Sequence, residues 1–303
     1  MSTVKSYLSL IKFSHTIFAM PFALIGFCLG MFAYRSVVPG WNTTIFPSLY
    51  EWRGLVTLFV LVVLCMIFAR SAAMSFNRYL DRTFDAKNPR TAIREIPAGV
   101  LKANKVLTFT VINCLLFILC TFFINRLCFF LSPVALFVVL GYSYTKRFTP
   151  LCHLVLGLGL SLAPIGAYLA VTGRFAVLPV LLSMVVIFWV SGFDVIYALQ
   201  DEEFDRSQKL YSIPAWLGKE KGLRVSEVLH VLSAVFVIIA GIYGKFDWLY
   251  WAGVAVFSGM LIFQHSLVKP HDLRKVNLAF MTANGIASVV FAVFVILDLF
   301  LHF

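Results

Sequence analysis

Charge is what this sequence has least of. Asp, Glu, Lys and Arg make up 13% of its 303 residues, and only 14 of them are acidic. A soluble domain is roughly a quarter charged and about half apolar, whereas this chain is 61% hydrophobic with a mean hydropathy of +0.91. That balance argues against a water-soluble globule. Its six cysteines (Cys28, Cys65, Cys114, Cys120, Cys128 and Cys152) form no CxxC pair and have no His cluster beside them. This removes a zinc or redox motif and leaves them as small buried hydrophobes. No small-x-small cleavage site follows the first apolar run, so it is read as a retained helix rather than a signal peptide. No apolar run is polar enough to line a wide aqueous pore. The formal charge of +11 is scattered between apolar runs, a pattern of loops anchoring a membrane protein. No nucleic-acid partner is expected, and no protein partner can be inferred.

Apolar runs are what the sequence has in abundance, with 31 Phe among them. A membrane span needs about 20 mostly apolar residues. Nine runs qualify, near 16–34, 54–76, 106–124, 128–144, 153–171, 177–199, 226–243, 248–266 and 277–300. The expectation is an all-α membrane protein, nine transmembrane helices in one bundle, forming a single domain over 1–303. With the N-terminus in the cytoplasm, the cytoplasmic segments hold 19 of the 25 Lys and Arg and the external loops five, with Arg70 inside the second span. The positive-inside rule therefore sets the N-terminus in and the C-terminus out.

The acids gather in two of the cytoplasmic segments, after the second and sixth spans. The first holds Asn77-x3-Asp81-x3-Asp85, the second Asp194-x2-Tyr197-x3-Asp201-x3-Asp205. Residues four apart share a helix face, so each motif is a stripe of oxygen ligands. A few oxygen ligands suit Mg²⁺, which keeps waters and shares its shell with phosphates. Asp81 to Asp201 and Asp85 to Asp205 are both 120 residues apart, consistent with duplication of a four-helix unit. Even-numbered spans exit on one side of the membrane, so the two stripes can face each other. Arg78, Arg82, Lys87, Arg90, Arg94, Lys146, Arg147, Arg206 and Lys209 stand nearby as candidate diphosphate binders. An Arg within a span, such as Arg70, costs about 2.5–3.5 kcal/mol on insertion scales and needs a partner.

Three stretches together carry a resemblance. They are Asn77-Arg-Tyr-Leu-Asp81-Arg-Thr-Phe-Asp85-Ala-Lys-Asn-Pro-Arg90-Thr91 with Arg94-Glu-Ile-Pro-Ala-Gly99, then Tyr142-Ser-Tyr-Thr-Lys146-Arg147, then Asp194-Val-Ile-Tyr197-Ala-Leu-Gln-Asp201-Glu-Glu-Phe-Asp205. They resemble the UbiA superfamily of membrane-embedded aromatic prenyltransferases, in its 4-hydroxybenzoate polyprenyltransferase-like branch. The resemblance implies Mg²⁺ ions bridging both acidic motifs to an allylic polyprenyl diphosphate, whose cation attacks an aromatic acceptor in quinone synthesis. It implies Asn77, Asp81, Asp85, Asp201 and Asp205 as metal ligands. Asp194, Tyr197 and Arg147 would be catalytic, and Arg70, Arg90, Lys146 and Lys209 would bind substrate. Lys146 or Arg147 would neutralise the diphosphate or the acceptor's carboxylate. It further implies a bacterial inner-membrane enzyme whose active site faces the cytoplasm. Relatives acting on 4-hydroxybenzoate read Asn-Asp and Arg-Pro-Leu-Pro where this chain has Asn77-Arg78 and Arg94-Glu95-Ile96-Pro97. That departure opens a dihydroxynaphthoate, in menaquinone synthesis, as the alternative acceptor.

A cation-coupled transporter is the rival from another class, since intramembrane acids mark ion paths. Such acids lie near the midplane at broken helices, whereas here they cluster at one face. A phosphoalcohol transferase should show a D-x2-D-G signature, which is absent. His15 and His153 are read as polar caps at span ends, with an acceptor contact as the alternative. Trp41, Trp52, Trp248 and Trp251 read as an interfacial belt, and Ser75 and Asn284 as interhelical hydrogen bonders.

Overall fold

The computed structural model describes residues 3–11, 18–35 and 52–302. Helices make up their regular structure: α1 (Thr3–Leu10), α2 (Met20–Arg35), α3 (Trp52–Leu80), α4 (Arg82–Asp85), α5 (Ala103–Ile124), α6 (Arg126–Thr145) and α7 (Cys152–Thr172). There follow α8 (Val177–Ala198), α9 (Glu202–Ser207), α10 (Ile213–Leu217), α11 (Lys219–Gly244), α12 (Trp248–Leu267) and α13 (Asn284–His302). Among the described residues, seven stretches are long and apolar enough to cross a bilayer: Gly54–Leu80, Ala103–Ile124, Arg126–Thr145, Cys152–Thr172, Val177–Ser207, Lys219–Gly244 and Leu278–His302. The expected first span is described as α2, a shorter apolar helix of 16 residues. The expected eighth is α12, whose polar end, Gln264-His265, lowers its hydropathy. His15 and Trp41 lie outside the described residues.

α8 is the central helix, packed between α7 and α11, while α2 lies on α7 and α13, and α12 closes on α13. α3, α5 and α6 form the other side and meet α7. The core of the first group is aromatic: Trp189, Phe22, Phe257, Phe291 and Tyr250 are all fully buried. Polar side chains tie its helices together: Trp189 Nε1 and Gln264 Nε2 both donate to Asn284 Oδ1, at 2.8 and 2.7 Å. Ser75 and Thr110 likewise join α3 to α5 through hydroxyls 2.8 Å apart. Large apolar side chains such as Phe137 and Ile262 point outward, 78% and 72% exposed, as lipid-facing residues should.

Where α2 crosses α7, close approach requires a glycine. A Cβ on Gly26 would stand 2.1 Å from the carbonyl oxygen of Pro164. Gly26→Ala is expected to destabilise the protein by about 1–3 kcal/mol, the usual cost of overpacking. A thermal melt in detergent would show this as a lower Tm; an unchanged Tm would mean that the seam is free to open.

Candidate active site

A cavity of about 630 Å³ runs between α3, α6, α7 and α8. Most of its wall is apolar, including Phe18, Phe117, Phe193 and Phe280. At one end it meets both acidic motifs, since Asn77, Asp81, Asp85, Asp201 and Asp205 all line it. The duplication suggested by the spacing has a backbone counterpart. α3 ends at Leu80 and α4 starts after Asp81; α8 tightens through a 3₁₀ turn, Leu199–Asp201, and α9 starts after Asp201. Asp81 and Asp201 hold matching backbone angles, φ −89°, ψ 6° and φ −105°, ψ 4°, in the sparsely allowed bridge region where active-site residues recur. The stripes survive these breaks, because Asp81 N–H donates to Asn77 O (2.9 Å) and Asp85 N–H to Asp81 O (2.8 Å).

Every motif aspartate has a basic partner, and three of those partners come from elsewhere in the fold. Arg147 Nη2 lies 3.2 Å from Asp81 Oδ1, and Lys146 Nζ lies 2.9 Å from Asp205 Oδ1. Arg90 grips both oxygens of Asp201, its Nη2 very closely, and donates through Nη1 to the Tyr197 hydroxyl at 3.0 Å. Arg94 Nη1 donates to Asp85 Oδ1 at 2.7 Å. Asn88, a residue that spacing did not single out, steadies this network: its Nδ2 donates to Asp201 Oδ1 at 3.1 Å. Its Oδ1 accepts from Arg90 N–H at 3.0 Å, so it joins the loop to the second motif. Four acids face four bases, so the site is close to neutral by itself.

The electrostatics follow from burial. Desolvation pushes the Asp81 carboxyl above the usual carboxylate range, although Lys146 and Arg147 pull the other way. Burial works against the charge of Lys146, but Asp205 and then Asp81 and Asp201 outweigh it and hold the ammonium above its ordinary value. Arg90 is likewise opposed by burial and held up by Asp201. Asp85 Oδ2 is buried with no hydrogen-bond partner. An orphaned, oxygen-only carboxylate beside Asn77 and Asp81 fits a hard divalent cation. Among the described residues no three His, Cys, Asp or Glu side chains converge on one metal position. Mg²⁺ takes one or two carboxylates and completes its shell with phosphate and water.

Further along the cavity stand Arg70, Asp194 and His153. Arg70 precedes Asn77 by seven residues, as Asp194 precedes Asp201. At 1.5 Å per residue Arg70 lies about 10 Å from Asn77, and Asp194 about 10 Å from Asp201. Arg70 Nε and Arg78 Nε are buried without a hydrogen-bond partner, and neither side chain makes an ion pair among the described residues. His153 Nδ1 lies 2.7 Å from Asp194 Oδ2. His153 is only 3% exposed, so it is a buried side chain of the cavity wall rather than a cap in the interface. The Tyr197 ring packs 4.5 Å from that of Phe280, which a π-helical turn (Leu278–Ala283) carries into the wall. Such turns insert one extra residue and recur at functional sites.

The structure thus brings together Asn77, Asp81, Asp85, Asp194, Tyr197, Asp201 and Asp205 with Arg70, Arg78, Arg90, Arg94 and Lys146. Others it leaves outside. Arg147 does not line the cavity; it reaches Asp81 from behind, between the rings of Phe84 and Tyr144. Lys209 is exposed, in a left-handed turn (φ 55°) after α9, because the chain there bends away toward α10. Lys87 is exposed and donates to Gln208, Arg82 lies over the Tyr79 ring, and Arg206 pairs with Glu202.

Residues 19–286 match the UbiA prenyltransferase family. Among curated proteins, the chain is 28% identical over 237 residues to a 4-hydroxybenzoate octaprenyltransferase of Francisella tularensis subsp. mediasiatica, covering 78% of this chain and 83% of that one. It is 31% identical over 236 residues to the protein of the same name from Alcanivorax borkumensis, covering 78% and 81%. Among solved structures it is similar to the apo UbiA homolog of Aeropyrum pernix K1, with TM-score 0.74 and 25% identity over 93% of this chain and 95% of that one. A UbiA homolog from Archaeoglobus fulgidus, solved with DMAPP and Mg²⁺, shares the fold at TM-score 0.70 and 18% identity, over 98% of this chain and 99% of that one.

Proposed function

The chain belongs to the UbiA prenyltransferase family and is an integral membrane protein, and on that premise we propose that it transfers a polyprenyl group from an allylic polyprenyl diphosphate to the ring of an aromatic carboxylate. The observation that carries this reading is the neutral lattice of four acids and four bases at one end of an apolar, aromatic-walled cavity. 4-Hydroxybenzoate is the first acceptor, in line with the names of the curated relatives. A dihydroxynaphthoate is the second, favoured by Arg78, Glu95 and Ile96 standing where the hydroxybenzoate branch carries other residues. In the proposed membrane arrangement nine helices span a bacterial inner membrane, the N-terminus and the motif end facing the cytoplasm.

Mg²⁺, held by Asn77, Asp81 and Asp85 and by Asp201 and Asp205, would neutralise the departing diphosphate. With the acids engaged by the cation, Lys146, Arg90 and Arg94 would be free to meet the phosphate oxygens, so no charge would be left bare. Arg78 adds a further buried cation at that level. The allylic C–O bond breaks with its electron pair going to the diphosphate. The faces of Tyr197, Phe193 and Phe280 shield the resulting cation and keep water out. Asp194 accepts the ring proton once the new C–C bond has formed. Arg70, with no acid of its own, takes the acceptor's carboxylate.

The test supplies membranes containing this chain with Mg²⁺, an all-trans polyprenyl diphosphate and each acceptor in separate tubes, followed by mass spectrometry. A prenylated product in one tube, lost on chelation, is the expected result. No diphosphate release in any tube would overturn the proposal.

A further inference from the structure

We infer that His153 is a positioning residue that fixes Asp194 as the acceptor of the ring proton; this rests on the transferase reading above. His153 begins α7, and three contacts fix it. Its carbonyl oxygen accepts from the Ser191 hydroxyl (3.1 Å). Its Nε2 accepts from the Ile213 N–H (3.3 Å), and its Nδ1 faces Asp194 Oδ2 (2.7 Å). Ile213 is itself held, because Ser212 caps α10 by accepting from Ala215 N–H at 3.2 Å. The backbone donor at Nε2 decides the tautomer. With that lone pair occupied, the ring proton sits on Nδ1 and is donated to Asp194.

Two consequences follow. Asp194 receives its hydrogen bond on Oδ2, which leaves Oδ1 to serve the cavity that Asp194 lines. The arrangement also excludes a relay, since Nδ1 already carries its proton and the Nε2 lone pair is taken by the Ile213 N–H, which leaves the imidazole nowhere to accept another. Orientation is what the imidazole supplies, as a histidine in a triad is itself oriented by a buried carboxylate. A purely structural histidine would need the Ile213 contact but no aim at a cavity carboxylate. In the reaction the ring's electron pair forms the C–C bond to the allylic carbon as the C–O pair leaves with the diphosphate. The ring C–H pair then returns to the ring, and the proton goes to Asp194 Oδ1, to be lost to water when product departs.

The experiment compares His153→Phe, which keeps a ring without a donor, with His153→Asn, whose amide N–H can replace Nδ1–H. Diphosphate release and prenylated product are measured separately, using an acceptor deuterated at the prenylated carbon. His153→Phe should lower kcat for product roughly 10–100-fold, the scale for removing a group that orients a site ligand. KM for the polyprenyl diphosphate should stay unchanged, more diphosphate should be released per product, and a normal ring-deuterium isotope effect absent from wild type should appear. His153→Asn should restore most of the rate. Wild-type turnover in His153→Phe, equal losses in both variants, or a loss without the isotope effect would overturn the inference. Wild type that releases diphosphate yet prenylates no acceptor would instead overturn the transferase reading itself.

Discussion

Asp201→Asn should lower turnover at least about 10²–10³-fold, the scale for removing one preorganised electrostatic group, while the protein stays folded. Asp201 has two duties in the structure. It is a proposed metal ligand at the cavity mouth, and it holds Arg90 through both oxygens. An amide keeps one acceptor for Arg90 but loses the charge a divalent cation needs. The loss should therefore appear as a much higher Mg²⁺ requirement as well as a lower rate, read by titrating Mg²⁺ against diphosphate release. Asp81→Asn should behave alike, because Asp81 stands at the same kind of backbone break as Asp201, with matching angles. Normal rates with normal Mg²⁺ dependence in either variant would sink the two-motif reading.

A double substitution separates the duties. Asp201→Ala leaves the Arg90 guanidinium without its acid; Arg90→Ala in the same chain removes that imbalance. The double variant should recover part of any Tm lost in Asp201→Ala, since contacting residues are not additive. Activity should not return, since the metal ligand is still missing. Recovery of turnover would mean that Asp201 acts only by holding Arg90.

The architecture was legible because its signals are long. Twenty apolar residues in a row announce a helix however it packs, and acids four apart announce a shared face. What spacing could not show was partnership across the fold. Asn88 looks like an ordinary loop residue until the loop after α4 lays its amide on Asp201. His153 lies at the predicted edge of a span and reads as a cap; only the packing of α10 against α7 and α8 buries it beside Asp194. Lys146 and Arg147 are adjacent in sequence and were read as one basic pair, yet a helix end sends neighbours in different directions. Lys146 faces the cavity and Arg147 approaches Asp81 from outside.

That divergence leads to the second large effect. Lys146 and Arg147 are engaged by Asp205 and Asp81, so neither is the first candidate for the acceptor's carboxylate. Arg70 is. It lines the cavity, its Nε has no hydrogen-bond partner, and it makes no ion pair among the described residues. An intramembrane cation is costly and marks a site whose partner arrives with the substrate. The diphosphate is a poor candidate for that partner, because Arg70 lies about 10 Å along α3 from Asn77. Asp194 lines the same cavity from α8, so a ring held between them would offer its carboxylate to one and its C–H to the other. Arg70→Leu should raise KM for the aromatic carboxylate roughly 10–150-fold, the factor that corresponds to about 1.5–3 kcal/mol for a hydrogen bond to a charged group. KM for the polyprenyl diphosphate should be unchanged. Arg70→Lys should fall between, keeping the charge and losing the planar fork. An acceptor analogue lacking the carboxylate supplies the decisive comparison. Wild type and Arg70→Leu should use it equally poorly, because the missing anion and the missing cation are two halves of one interaction. If Arg70→Leu weakened both acceptors alike, the residue would be shaping the cavity, and the carboxylate site would move to Arg78.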